Sequence, residues 1–423
     1  MKQESFFRRF RGAISLRLRK TRPMVTLKRP WPRLSLLLVS LTVVAVMGET
    51  VVERLPVGQG YHDMLIKKVF FASTKNSQYW GWSFQPNADV KWKYGARERE
   101  PIWINFRTVP IPGFPEYGMR DDGVDEDRVH KVLVLGDSFT FGATVELEEI
   151  WCERLEAKYP DVDFVNAAGG GGVAKARAQY EQLGPALAHE TVIYQMWLGN
   201  EFLDNANPQA YADRKSSENN LAYYYKGNAP IFQGLAERSK LFWMLRQPLW
   251  ELWRARFPRQ SDLRRRAYEA EPKGLWHDRV GNLWLHPKNE MLTLYLGDFT
   301  DHERVVTGVR ETGKKLHALS RLVRASGRRL IVFLFPFKEQ IYHELWRDTA
   351  GAPKTEPLKP NRIVLAFCER HEITCVDIYA DVYARRDERI YWDYDVHFTP
   401  TGQLVASEAI DRHLQRLGVL PGG

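Results

Sequence analysis

The sequence predicts an α/β fold, a parallel sheet flanked by helices, on two observations. Short apolar runs rich in β-branched and aromatic residues, at 132–135, 162–166, 191–198, 330–335 and 373–377, each stop at Gly, Asn, Asp or Pro and read as buried strands. Segments with helical spacing of apolar residues lie between them. Strand, helix, strand, helix over this length is the signature of parallel strands joined by crossover helices.

Taken from the N-terminus, residues 1–33 form a basic arm, with Lys2, Arg8, Arg9, Arg11, Arg17, Arg19, Lys20, Arg22, Lys28, Arg29 and Arg33 against Glu4 alone. This arm accounts for the chain's net charge of +9, and the remainder is close to neutral, so the charge does not point to a nucleic-acid partner. Residues 34–48 carry no charge, and with Val51 and Val52 the apolar stretch 34–54 approaches the ~20 residues a membrane-spanning helix needs. The arm is too long for a signal peptide, no small-x-small cleavage site comes after it, and the run has no amphipathic face to suit a core helix. A single transmembrane anchor is expected in the inner (cytoplasmic) membrane. The arginine-rich side stays in the cytoplasm and the rest of the chain lies outside it, periplasmic in a Gram-negative cell.

Residues 55–130 read as a juxtamembrane segment followed by short strands at 79–87, 90–94 and 102–106, with Pro110, Pro112, Gly113 and Pro115 marking an irregular loop. The strand at 132–135 stops at Gly136-Asp137-Ser138, and a helix is expected over 145–159 from Leu147, Ile150, Trp151 and Leu155. Gly-Asp-Ser is a good turn and N-cap tripeptide, and a serine between strand and helix also receives free N–H groups of a helix N-terminus. The strand at 162–166 runs into the glycines 169–172, which permit close backbone approach; no phosphate-loop signature is present. Next come a helix from Ala174 to about Gly184-Pro185 and the strand at 191–198, which stops at Gly199-Asn200-Glu201.

Residues 206–300 break the alternation with an aromatic and arginine-rich helical insertion interrupted at Pro248 and Pro258. Alternation resumes with a helix over 302–325 (Val305, Val309, Leu316, Leu319 and Val323 on one face) and the strand at 330–335, stopped by Pro336. A helix over 361–370, the strand at 373–377, the segment Asp393-Tyr394-Asp395-Val396-His397 and a last helix over 402–417 complete the chain. The cysteines Cys152, Cys368 and Cys375 lack zinc spacing; buried free thiols are expected, with a 368–375 disulfide the alternative. No metal or organic cofactor is suggested.

Parallel strands deliver the residues just past their ends to one edge of the sheet, so Ser138, a glycine near 171 and Asn200 share that edge. Acyl transfer needs a hydroxyl, a base, a group that orients the base, and donors for an oxyanion. Ser138, His397, Asp395, and the Ser138 N–H, a glycine N–H and the Asn200 amide are the candidates, in that order of role. Gly136-Asp137-Ser138 with Phe139-Thr140-Phe141-Gly142 resembles block I of the GDSL/SGNH hydrolase superfamily. Asn166 to Gly171 is similar to its block II, Gly199-Asn200-Glu201 to block III and Asp395-Val396-His397 to block V. Pro336-Phe337-Lys338-Glu339-Gln340 and the N-terminal anchor resemble features of membrane-anchored bacterial members.

The resemblance covers about 115–420 outside the insertion. It implies a flavodoxin-like three-layer α/β/α sandwich split into 131–205 and 301–420, with Ser138 as nucleophile, His397 as base, Asp395 as its orienting acid, and Ser138, Gly171 and Asn200 as oxyanion donors. Gly170 and Gly172 are alternatives to Gly171, and Asp393 is a rival to Asp395. Glu201 departs from the family's usual aspartate. The implied activity is a membrane-anchored serine esterase acting on an ester-bearing substrate such as an acylated envelope glycan or lipid. The alternatives are an O-acetyltransferase on cell-envelope polysaccharide and a catalytically silent envelope scaffold or glycan-binding protein. Intact Ser138, Asn200 and His397 count against the scaffold.

Overall fold

The computed structural model describes residues 84–94, 102–169, 171–206, 295–345, 355–393 and 395–420, with isolated positions within 40–48 and 239–245. The basic arm, most of the anchor at 34–54, residues 79–83 and nearly all of the 206–300 insertion lie outside the described residues. Met1–Leu55 and Pro56–Gly423 are separate units; in the first, residues 40, 42–44 and 47–48 are helical. No helix among the described residues is long and apolar enough to cross a membrane.

The first elements among the described residues of Pro56–Gly423 are four strands in two antiparallel pairs, β1 (Asp89–Tyr94) with β2 (Ile102–Arg107) and β3 (Val109–Ile111) with β4 (Phe114–Met119). Then come β5 (His130–Leu135), α1 (Trp151–Lys158), β6 (Val162–Asn166), α2 (Val173–Ala186), β7 (Thr191–Trp197) and α3 (Glu201–Ala206). The second part holds α4 (Glu303–Ala325), β8 (Arg329–Phe335), α5 (Lys338–Ile341), α6 (Lys359–Arg370), β9 (Thr374–Asp377), α7 (Tyr379–Ala384) and α8 (Pro400–Arg416).

β5 to β9 form one parallel sheet in the order β6-β5-β7-β8-β9. Counted among the parallel strands this is 2-1-3-4-5, and the chain reverses direction across the sheet between β5 and β7, where such sheets open a ligand crevice. β6 and β7 are buried at every position, which is why they read as mainly apolar runs, interrupted within by Asp163 and Gln195, rather than alternating ones. α4 packs on α2 and α3, while α8 packs on α1 and α7. Right-handed crossovers require this split: the β5-to-β6 connection runs opposite to the later ones, so α1 takes the other face.

The structure departs from the sequence reading at three places. The proline-rich stretch 110–115 is no loop: β3 and β4 form a hairpin around Pro112-Gly113, and Gly113 has the positive φ (+79°) such a turn needs. The helix expected over 145–159 is broken at Ile150, which is extended between a 3-10 turn at Leu147–Glu149 and α1. Tertiary bonds win there: Arg120 donates to Val145 O (2.6 Å) and the Asn105 N–H to the Glu146 carboxylate (3.0 Å). Cys368 and Cys375 are joined in a disulfide rather than free, linking the end of α6 to β9, while Cys152 is a buried thiol.

β1 and β2 have their own small core. Ile102, Ile104 and Phe106 point inward from β2 and meet Phe84, Phe141, Ala143 and Ala168, with Trp92 and Trp392 at the edge. Phe141 comes just after the Ser138 turn and Ala168 just before the glycine run, so the β1–β2 pair braces both loops.

Four buried carboxyls, Asp121, Asp137, Glu156 and Glu201, are each pushed up to about 7, burial being the largest cause in every case. The folded state therefore binds protons that the unfolded chain has released, and stability falls as pH rises from the ordinary carboxyl range towards 7. His189, pushed down to about 4 by burial, opposes this with a single proton. The expected outcome is a higher unfolding midpoint at pH 5.5 than at pH 7.5, measured by calorimetry at constant ionic strength.

Candidate active site

Ser138 stands just past the end of β5, in a turn fixed from several sides. Asp137 Oδ1 accepts the Phe139 N–H (2.9 Å), and Asp137 O accepts those of Thr140 and Phe141 (3.1 Å each). From β7, Gln195 Oε1 accepts the Asp137 N–H (3.1 Å) and the Thr140 hydroxyl (2.9 Å). A Cβ on Gly136 would lie 2.6 Å from Thr140 Oγ1 and 2.7 Å from Gln195 Oε1, so no side chain fits there. The buried Arg120 guanidinium donates to the carbonyls of Phe141, Gly142 and Val145, closing the outer side of the turn.

The C-terminal loop is fastened to this turn. Gln403 on α8 donates to Phe139 O (2.9 Å) and accepts the Trp151 N–H (3.1 Å), while Thr144 Oγ1 donates to Phe398 O (3.0 Å). The Phe139 ring lies against His397, centroids 5.0 Å apart, and edge-on to Phe398.

These links bring three of the sequence-predicted residues into one chain of hydrogen bonds. His397 Nε2 is 2.6 Å from Ser138 Oγ, and His397 Nδ1 is 2.5 Å from Asp395 Oδ1, which also accepts the His397 N–H (3.0 Å). With Nδ1–H donated to the carboxylate, Nε2 is left as an acceptor for the serine proton. Asp393 faces Arg389 (3.3 Å). Burial pushes the Asp395 carboxyl up. The His397 charge and hydrogen bonds, with the Lys338 ammonium beyond, outweigh that and carry it below the usual aspartate value.

Gly171 and Asn200 lie on the loops after β6 and β7, the strands that flank β5. Gly171 has φ +94°, a conformation that favours glycine, and Gly170 lies outside the described residues. The loop is pinned beside the Ser138 turn: Asn166 Nδ2 donates to Thr140 O (2.9 Å) and the Gly169 N–H to Gly136 O (3.4 Å). Glu201, next to Asn200, ties the two loops together. Its carboxylate accepts the Val173 N–H (2.8 Å), the Asn205 amide (2.8 Å) and the Tyr194 hydroxyl (2.8 Å). A Cβ on Gly172 would come within 2.9 Å of Glu201 Oε1, so Gly172 serves this approach.

Sequence reasoning overlooked Arg120, Gln195 and Gln403. Each works through backbone groups far away in the chain, and only an unusual polar residue inside an apolar run, such as Gln195 in β7, hinted at a role. Among the described residues no group of three His, Cys, Asp or Glu side chains is placed to hold a metal ion.

No family model matches the chain, and no curated protein does. Among solved structures it is similar to LAE5, an alpha/beta hydrolase enzyme from the metagenome of Lake Arreo, Spain (15% identity, TM-score 0.34, 70% of this chain and 97% of that one). It is also similar to a member of the lipolytic protein G-D-S-L family from Veillonella parvula (13%, 0.35, 68% and 100%). A third is a catalytic mutant of Axe2, an acetylxylan esterase from Geobacillus stearothermophilus (16%, 0.35, 68% and 94%). Likeness at this level carries no chemical detail to this chain.

Removing the Glu201 acceptors leaves the Val173 N–H and the Tyr194 hydroxyl without a partner. Glu201→Ala is expected to lower stability by about 1–3 kcal/mol, the usual cost of stranding buried donors, and Glu201→Gln by clearly less. Urea unfolding of the two variants checks this.

Proposed function

We propose that this chain is an SGNH-type serine hydrolase that cleaves an acyl or acetyl ester through an acyl-enzyme, with Ser138, His397 and Asp395 as its triad. The observation that carries the reading is the unbroken relay from Ser138 Oγ through both imidazole nitrogens to Asp395, at 2.6 and 2.5 Å. Ser138 Oγ attacks the ester carbonyl as His397 Nε2 takes its proton. Asp395 holds the imidazole in the tautomer that makes this possible and stabilises the imidazolium that forms. The carbonyl oxygen, now an oxyanion, is received by the N–H groups of Ser138 and Gly171 and the Asn200 amide. Collapse expels the alcohol, which takes its proton from His397. Water then repeats the sequence on the acyl-serine and releases the acid.

In the same reading the stretch 34–54 anchors the enzyme in the cytoplasmic membrane with its catalytic part outside. The Cys368–Cys375 disulfide supports that placement, since such bonds persist mainly in oxidising compartments.

A fluorophosphonate, which labels activated serines, is expected to modify the wild type at Ser138 and leave Ser138→Ala unlabelled. His397→Ala is expected to lose roughly 10⁶-fold in ester turnover, the scale of a removed triad base. Absence of labelling in folded wild-type protein overturns the reading. Transfer of the acyl group to sugar hydroxyls rather than water, detected by mass spectrometry, would mark a transferase instead.

A further inference from the structure

The segment Pro336-Phe337-Lys338-Glu339-Gln340, between β8 and α6, has no part in the triad chemistry, yet it carries a lysine that is almost fully buried. The Lys338 ammonium donates to the backbone carbonyls of Trp392 (2.7 Å), Asp393 (2.8 Å) and Asp395 (3.4 Å). A second bond joins the same two segments, from Tyr391 OH to Pro336 O (2.9 Å).

Burying an ammonium is costly unless its donors are satisfied, and an apolar residue would fill the space with less penalty. What an apolar residue cannot do is gather carbonyls. Two stretches of the C-terminal loop, 391–393 and 395–398, are held together by the Trp392 N–H on His397 O (3.2 Å) and by the Tyr391–Phe398 bridge. Within them the Asp395 carboxylate is occupied by His397, and Asp393 faces Arg389. The inward carbonyls need a donor from outside the loop, and Lys338 supplies it from the end of the neighbouring strand β8.

We propose that Lys338 is a positioning residue for the triad: by clamping the carbonyls of residues 392, 393 and 395 it fixes the loop that aims Asp395 at His397 Nδ1. This rests on the hydrolase reading above. Lys338 touches no reacting atom and acts only through Asp395, which sets it apart from a residue that merely supports the fold.

The test compares wild type, Lys338→Met, Asp395→Asn and the double variant on p-nitrophenyl acetate. Misplacing a catalytic group by about an ångström costs on the order of 10²-fold. Lys338→Met is therefore expected to lower kcat about 10- to 100-fold, with KM changed less than about twofold. Once Asp395 is gone the clamp has nothing left to aim, so adding Lys338→Met to Asp395→Asn is expected to cost less than about threefold more. Lys338→Arg, which keeps a cation and several donors, is expected to recover part of kcat. Wild-type kcat in Lys338→Met overturns the proposal, and so does a loss that persists undiminished beside Asp395→Asn.

Should Lys338→Met not fold, Lys338→Gln takes its place in the same cycle. Should the wild type turn over no ester and take no fluorophosphonate, the hydrolase reading falls by itself, and the clamp is read by hydrogen exchange at the amides of Trp392, His397 and Thr399. Exchange at least about tenfold faster in Lys338→Gln upholds it, and unchanged exchange overturns it.

Discussion

One hydrogen bond, between a hydroxyl at the end of the first parallel strand and an imidazole near the chain's C-terminus, sets the conditions for everything else at the sheet's edge. The two residues are 259 apart in sequence. Closing so long a loop costs little more entropy than closing a short one. The difficulty is alignment, because apolar burial is non-directional and does not set a separation to tenths of an ångström. The chain meets it with directional links between the same two regions: Gln403 holds both Phe139 and Trp151, and Thr144 holds Phe398. Aromatic packing of Phe139 between Trp197, His397 and Phe398 fills the space that remains.

The polar groups that surround the Ser138 turn are therefore placed where packing alone is insufficient. Arg120, Gln195 and Gln403 are buried, and each bonds mainly to backbone groups of the turn or of the strand beside it. A buried guanidinium is a doubtful source of net stability, since its desolvation offsets most of what its bonds return. Burial does push Arg120 down to about 10, the mark of that desolvation. The gain lies in geometry: a fork of donors fixes three carbonyls at once, and the turn that presents Ser138 is left with one arrangement.

The central sheet was legible because β5, β6, β7 and β8 are almost wholly buried and so read as mainly apolar runs ended by polar residues. Strand ends in a parallel sheet share an edge, and this alone puts Ser138, Gly171 and Asn200 on loops of that edge. What escaped was decided by distant partners. Ile150 leaves the helix because Arg120 and Asn105 hold the residues just before it. Prolines 110, 112 and 115 suggested a loop because their effect on a two-stranded ribbon depends on which side lacks a partner. Asp395 is the orienting acid by its place beside His397 in the motif, with Asp393 a rival at a short step, and the fold turns Asp395 toward Nδ1 and Asp393 toward Arg389. Cys368 and Cys375 looked like ordinary thiols until α6 and β9 brought them side by side.

A similar device recurs at the carboxyl end of four of the five strands in the sheet. Just past β5, Asp137 accepts the Phe139 N–H; past β6, Asn166 accepts that of Ala168. Past β8, Gln340 accepts the Phe337 N–H, and past β9, Asp377 accepts that of Tyr379; Glu201, past β7, reaches across instead to the Val173 N–H at the start of α2. A chain leaving a parallel ladder has amides with no strand partner, and an acid or amide side chain next to the strand end is the nearest acceptor. This explains why Gly-Asp-Ser is both an ordinary turn and a candidate for chemistry. The aspartate does at β5 what its counterparts do elsewhere on the edge, and it leaves the serine beside it unburdened. Distinction comes only from the far end of the polypeptide: of the five strand ends, it is the one at β5 that receives the His397 imidazole, held by Asp395. A habit recurring along the edge thus presents a hydroxyl at β5, and the C-terminal loop brings an imidazole within hydrogen-bonding distance of it.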